Sequence, residues 1–97
     1  MEAATMAAKD LSSSWATTSR HLIASKSHLP SPLPNGALDA LHQMDEFLNH
    51  NELGLALEEA EFLGDLCHSP PAFWAELQLA AENMGLSEAA SRFEARK

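Results

Sequence analysis

The feature of this chain that most constrains its fold is its amino-acid composition. It contains no valine and no tyrosine, and it is rich in alanine, leucine and glutamate. These abundant residues favour helices, whereas β-branched and aromatic residues favour strands. The chain has 97 residues, of which 45% are apolar, and this suits one domain with a modest core. We therefore expect an all-α protein.

A proline-rich segment divides the chain in two. Residues His28–Gly36 contain three prolines and a glycine, and they predict a connection. Residues 1–36 then form a Ser/Thr-rich helix with its linker, and residues 37–97 form an acidic helical bundle, within one domain overall. We expect the first helix from about Asp10 to Ser27, with frayed residues before it. Its apolar stripe consists of Leu11, Trp15, Thr18 and Leu22.

Two helices are predicted directly after the linker. The first covers residues 37–49, where leucines and a methionine recur at three- and four-residue steps. The next is expected from Glu52 to about Cys67, with Asn51 as its N-cap because a short polar side chain can accept a backbone N–H there.

The remaining residues predict two more helices. Ser69 is expected to be the N-cap of a helix from Pro70 to Met84, and Gly85 to end it in the left-handed conformation. Phe73 and Trp74 lie on or beside its apolar stripe, which predicts that both pack in the core. A fifth helix is expected from Ser87 to about residue 95. Short connections make neighbouring helices antiparallel, so we expect a small antiparallel bundle of four to five helices.

The charges are strongly segregated along the chain. The formal net charge is -8, and the segment from Ser27 to Ser91 has eleven Asp and Glu but no Lys or Arg. Such a surface repels nucleic acid and anionic membranes and speeds association with a basic protein. The same charge is equally consistent with a role in solubility alone. Among partner classes, it favours a basic protein.

Residues that carry catalysis or bind metals do not occur in the patterns that those chemistries need. The five histidines and the single cysteine, Cys67, show no CxxC or HExxH spacing, and the four glycines are isolated, so no phosphate loop is present. We expect no catalytic residue, no metal and no cofactor, and hence no enzyme. One cysteine cannot form an intrachain disulfide, and no apolar run reaches membrane-spanning length. We therefore expect a cytoplasmic protein.

The third helix is apolar on two sides. At about 100° per residue, Leu55, Phe62 and Leu66 lie together, opposite a broader core stripe. Such a helix is either sandwiched in the bundle or exposes one side to a partner. In the second interpretation the carboxylates around it steer or pair with a basic partner, and the apolar residues anchor it. The candidate partner-binding residues are Glu52, Leu55, Glu58, Glu59, Glu61, Phe62, Asp65 and Leu66.

Residues 38–86 resemble a known group of proteins. Residues 51–58 read Asn-Glu-Leu-Gly-Leu-Ala-Leu-Glu, and residues 80–86 read Ala-Ala-Glu-Asn-Met-Gly-Leu. This resembles the small helical immunity proteins of bacterial polymorphic-toxin systems, the MafI-like group among them. The resemblance implies a protein that neutralises a cognate toxin domain by occluding it. The acidic surface adds that this toxin would be basic, as nuclease-type toxins are.

Two other functions fit the same sequence. One is an acidic secretion chaperone or adaptor that holds an effector protein. The other is a self-associating regulatory subunit, such as a homodimer. Both are small, acidic and helical, so the sequence leaves them open beside the immunity hypothesis.

Overall fold

Five α-helices make up the fold in the described part of the chain. The structure is a computed structural model that describes the backbone of residues 2–97 and the side chains of residues 14–97. No strand occurs in that backbone, and the all-α prediction is confirmed. A short 3-10 helix, Lys26–His28, follows the first helix. The helices are α1 (Glu2–Ser25), α2 (Ala37–Asn49), α3 (Leu53–Leu66), α4 (Pro71–Asn83) and α5 (Ser87–Glu94).

The helices pack around α3 and α4. Helix α2 lies on α3, α5 lies on α4, and α1 runs along α4 with some contact to α3. The buried apolar side chains form one cluster to which all five helices contribute, from Leu22 in α1 to Phe93 in α5. This arrangement leaves one side of α3 without a packed neighbour.

Helix α1 differs from its prediction at both ends. It begins at Glu2 rather than near Asp10, so the expected fraying of the preceding residues is wrong, and it ends at Ser25. Its packing stripe also begins later, because Trp15 is 46% exposed. The side chain of Leu11 lies outside the described residues. The residues that dock α1 within the described part are Thr18, Leu22 and Ser25, all buried.

Polar contacts hold α1 on α4. The Asn83 side-chain amide donates to the Ser14 carbonyl at 2.7 Å and to the Thr18 hydroxyl at 2.8 Å. Farther along, His21 Nδ1 lies 2.8 Å from Glu76 Oε1. A helix rich in Ser and Thr has low intrinsic stability, because these side chains compete for backbone hydrogen bonds. Docking against α4 compensates for that weakness.

Three successive helices end in the same backbone motif. Asn51, His68 and Gly85 each follow a helix with a positive φ, at 56°, 49° and 75°. The residue after each one donates its N–H back into the last turn, as in a Schellman motif. These bonds run from Glu52 N to Phe47 O (2.8 Å), Ser69 N to Gly64 O (3.0 Å) and Leu86 N to Ala81 O (2.9 Å).

This motif explains which predicted caps were wrong. Asn51 was expected to begin α3, but it ends α2, since asparagine tolerates the left-handed conformation. Glu52 is the N-cap of α3 and makes no side-chain cap bond. Ser69 was expected to cap α4, but Pro70 is the N-cap, because Ser69 still belongs to the turn that ends α3. The prediction for Gly85 is confirmed.

Gly64 sets the close approach of α3 to α4. It is buried, and Phe73 and Trp74 of α4 pack directly over it. The two rings meet edge to face, with centroids 5.3 Å apart, and Phe93 stacks on Trp74 at 5.8 Å. Both Phe73 and Trp74 are buried, as predicted. This aromatic cluster joins α3, α4 and α5.

Candidate partner-binding face

Helix α3 exposes one of its two apolar sides. Its core stripe is buried against α2 and α4, whereas Leu55 is 45% exposed and Phe62 is 54% exposed. Leu66 is half-buried and packs against the core, so it does not share their exposure. The structure therefore brings two of the three proposed anchors together on an open surface. The buried residues of α3 are Leu53, Ala56, Leu57, Ala60, Leu63 and Gly64.

Three of the candidate carboxylates lie free on this surface. Glu52 and Glu58 are exposed, and Glu59 is half-buried. Within residues 14–97, none of the three forms an ion pair or a side-chain hydrogen bond. Glu58 follows Leu55 by three residues and precedes Phe62 by four, so it lies beside both along the helix. An apolar pair with a free carboxylate beside it is therefore available to a partner.

The other two carboxylates, Glu61 and Asp65, are paired within the chain. Arg92 donates from Nε to Glu61 Oε2 at 3.1 Å and from Nη2 to Oε1 at 2.9 Å, which is a two-pronged contact. Arg96 donates to Asp65 Oδ1 at 2.5 Å. The hydrogen bond to Glu61, together with its negative charge, raises the pKa of Arg92. These two carboxylates are thus already paired, one with an arginine of α5 and the other with an arginine just after it.

Sequence reasoning did not find this pairing. Arg92 and Arg96 lie at the end of α5, where they suit the helix dipole, and they are 31 residues from their partners. A signal was nonetheless present, because the two acids and the two arginines have the same four-residue spacing. Residues with this spacing lie one turn apart along a helix, so two acids on one segment can meet two arginines on a segment beside it.

Arg96 also reaches the aromatic cluster. Its guanidinium carbon lies 4.0 Å from the centroid of the Trp74 ring, within the range of a cation–π contact. The Trp74 indole N–H donates to the Ser69 carbonyl at 3.2 Å. Arg96 therefore connects the surface ion pair with Asp65 to the core.

A groove separates α3 from α5. Helix α5 packs on α4 rather than on α3. The arginine–carboxylate pairs bridge α3 and the α5 segment, and an open hollow of about 920 Å³ remains between them. Its apolar lining comes from both helices and the turn before α5, and Glu58 and Glu88 lie on opposite sides. The apolar lining residues with large side chains are Leu57, Phe62, Leu86 and Phe93.

Reactive groups do not gather in the described part of the chain. Among residues 14–97, no group of three or more His, Cys, Asp or Glu side chains is placed to hold a metal ion. Cys67 is half-buried, and burial raises the pKa of its thiol, which disfavours the nucleophilic thiolate. None of the helices in the described residues is long and apolar enough to cross a membrane.

Comparison with protein-family models, curated proteins and solved structures gave no match. Membership of the immunity-protein group therefore stays a prediction from the sequence.

Proposed function

We propose that this chain is a non-catalytic protein that binds a basic protein partner through the exposed face of α3. In its specific form, the proposal is an immunity protein that neutralises a toxin domain by covering it. The observation that carries it is the exposure of Leu55 and Phe62 on one face, with Glu58 beside both. An apolar centre with a charged surround is typical of protein interfaces.

The charge of the chain supports a basic partner. Arg92 and Arg96 are bound by carboxylates of α3, and Lys26 Nζ lies 2.6 Å from Asp45 Oδ1. Three of the six Lys and Arg residues are thereby paired with carboxylates of the acidic segment. The excess negative charge, -8 overall, remains to attract a cationic surface. A nuclease-type toxin has such a surface, because it binds a phosphate backbone.

Co-expression with a toxin tests the proposal. The domain encoded in the neighbouring reading frame, which the proposal expects to be toxic, is produced with and without this chain, and cell growth is measured. We expect the native chain to restore growth, and the double variant Leu55→Ser/Phe62→Ser to lose most of the protection. The matched control is Leu38→Ser/Leu79→Ser, which removes two leucines of similar exposure on α2 and α4. Growth arrest despite the native chain would overturn the immunity proposal.

The role of charge has its own measurement. The variant Glu58→Lys/Glu59→Lys reverses two carboxylates on the face, and Glu46→Lys/Glu94→Lys makes the same change in net charge elsewhere. We expect the first variant to slow association with the toxin domain and to flatten its dependence on salt, because rim charges act mainly on the association rate. Equal effects of both variants would show that net charge acts without a local steering surface.

The alternative functions give different results. A self-associating subunit would run as an oligomer in sizing experiments without a partner, and Leu55→Ser/Phe62→Ser would make it monomeric. A secretion chaperone would be needed for accumulation or export of its effector, and its loss would not arrest growth.

A further inference from the structure

The groove between α3 and α5 has a shape that neither helix gives alone. Helix α5 contacts α4 through Ala89, Ala90 and Phe93, which are buried, and it stands away from α3. Three of the residues that line the hollow are small, namely Gly54, Gly85 and Ala89. A volume of about 920 Å³ lies at the upper end of that of small-ligand pockets. Because the hollow is open to solvent and lies between two helices, it can take a segment of a partner protein.

The lining of the groove is apolar at the bottom and exposed at the edges. Leu57 and Phe93 are buried at its base, whereas Phe62 and Leu86 stand at its edges, with Leu86 41% exposed. Apolar side chains of this size at the edge of a hollow lose water contact only when an occupant enters. The groove therefore favours an occupant with its own apolar side chains.

The charged residues of the groove indicate which sign of charge an occupant should carry. Glu58 of α3 and Glu88 of α5 both line it, and neither forms an ion pair with any side chain in residues 14–97. The one cation in the lining, Arg92, is engaged by both oxygens of Glu61. A basic occupant would therefore gain two carboxylate partners.

We infer that this groove binds one amphipathic helix of the partner, with apolar side chains between α3 and α5 and Lys or Arg side chains against Glu58 and Glu88. The inference rests on the proposed function, because the groove shares Glu58 and Phe62 with the exposed face of α3, whereas Leu55 lies outside the groove. An amphipathic helix in a groove between helices is a common mode of recognition. Strand addition requires an exposed sheet edge, and the described backbone has no strand. Helix α3 is 14 residues, or about 21 Å, long, which matches a partner helix of about four turns.

Binding of a defined peptide to the full chain tests this inference. The probe is a labelled 14-residue peptide of leucine and lysine at helical spacing, with blocked termini, and affinity is measured by fluorescence anisotropy at low salt. Two reference peptides are a scrambled one of the same composition without an apolar face and one with glutamate in place of lysine. We expect clear binding of the probe only, and changes in backbone amide shifts confined to residues 54–65 and 85–93.

Variants of the chain locate the contact. Glu58→Gln/Glu88→Gln should weaken binding of the probe about three- to tenfold, since two exposed ion pairs are lost. Glu46→Gln/Glu94→Gln removes the same charge from exposed positions that do not line the groove, and should change affinity less than about twofold. Leu86→Ser should weaken binding without loss of helix content, because this leucine is exposed.

Several results would overturn the inference. They are equal binding of the scrambled peptide, equal losses in both glutamine variants, or amide shift changes outside the groove. The outcome is separable from that of the growth experiment. Protection that survives Leu86→Ser and Glu88→Gln would leave the immunity function standing without the groove. Specific probe binding without protection would leave the groove standing without the immunity function.

Discussion

Substitution of Gly64 by alanine should destabilise the protein, although alanine is the better helix former. An alanine Cβ at this position would lie 2.5 Å from Phe73 Cε1 and 2.7 Å from Trp74 Cη2. Favourable carbon contacts lie at about 3.5–4.0 Å, so both rings would have to move by about 1 Å. Both rings are buried and packed on each other, which leaves them little room.

The magnitude follows from two opposed terms. Overpacking a core costs about 1–3 kcal/mol, and two displaced rings place Gly64→Ala in the upper half of that range. Replacing glycine by alanine inside a helix returns about 1 kcal/mol. We expect a net loss of about 1–2 kcal/mol in the free energy of unfolding. For a domain of this size, that loss lowers Tm by about 5–15 °C.

The assay is urea and thermal unfolding followed by circular dichroism at 222 nm. Gly54→Ala is the matched control, because it lies in the same helix and its Cβ would meet only Met84 Cε, at 4.0 Å. That variant should be neutral or more stable by up to about 1 kcal/mol. If Gly64→Ala proved as stable as Gly54→Ala, α4 could not approach α3 as closely as described.

Three further predictions concern single side chains. Arg96→Ala should lower the free energy of unfolding by about 1 kcal/mol in urea titrations, because its contact with Trp74 and its ion pair are lost; an unchanged midpoint would contradict this. Asn83→Ala should cost about 1–2 kcal/mol in the same assay, because the buried Thr18 hydroxyl loses its donor. Cys67 should react with iodoacetamide with a midpoint above pH 9, since burial raises its pKa above the ordinary 9.0. Because folding favours its thiol form, the corresponding stability is present below pH 9 and is lost as pH rises through the raised pKa.

Much of the fold was predictable because the helical periodicity of apolar residues agrees with the positions of the helix-breaking residues. The bounds of α2 match the prediction at both ends, since the linker precedes it and its apolar steps stop at Asn49. The caps were less predictable, because asparagine and serine serve both helix starts and turns. Asn51 and Ser69 were each assigned to the following helix, although the preceding helix uses them. Local sequence does not decide whether such a residue ends the preceding helix or begins the following one.

The candidate site was predictable only as far as one helix extends. The projection of α3 placed Leu55, Phe62 and Leu66 on one face, but Leu66 is half-buried against the core, with Gly36 of the linker close to it. The ion pairs of Glu61 and Asp65 depend on where α5 lies, which no local pattern specifies. The groove depends on the same placement. Its two walls come from segments that meet only in the folded chain.

The buried and the exposed residues in and next to α5 have different roles, and this difference matters for altering specificity. Ala89, Ala90 and Phe93 hold this short helix on α4, whereas Leu86 and Glu88 are exposed and line the groove. Exposed substitutions usually change stability by less than about 0.5 kcal/mol. The exposed positions of the groove can therefore vary without changing the buried residues that attach the helix. A library at positions 86–88 would explore new partners on an unchanged scaffold.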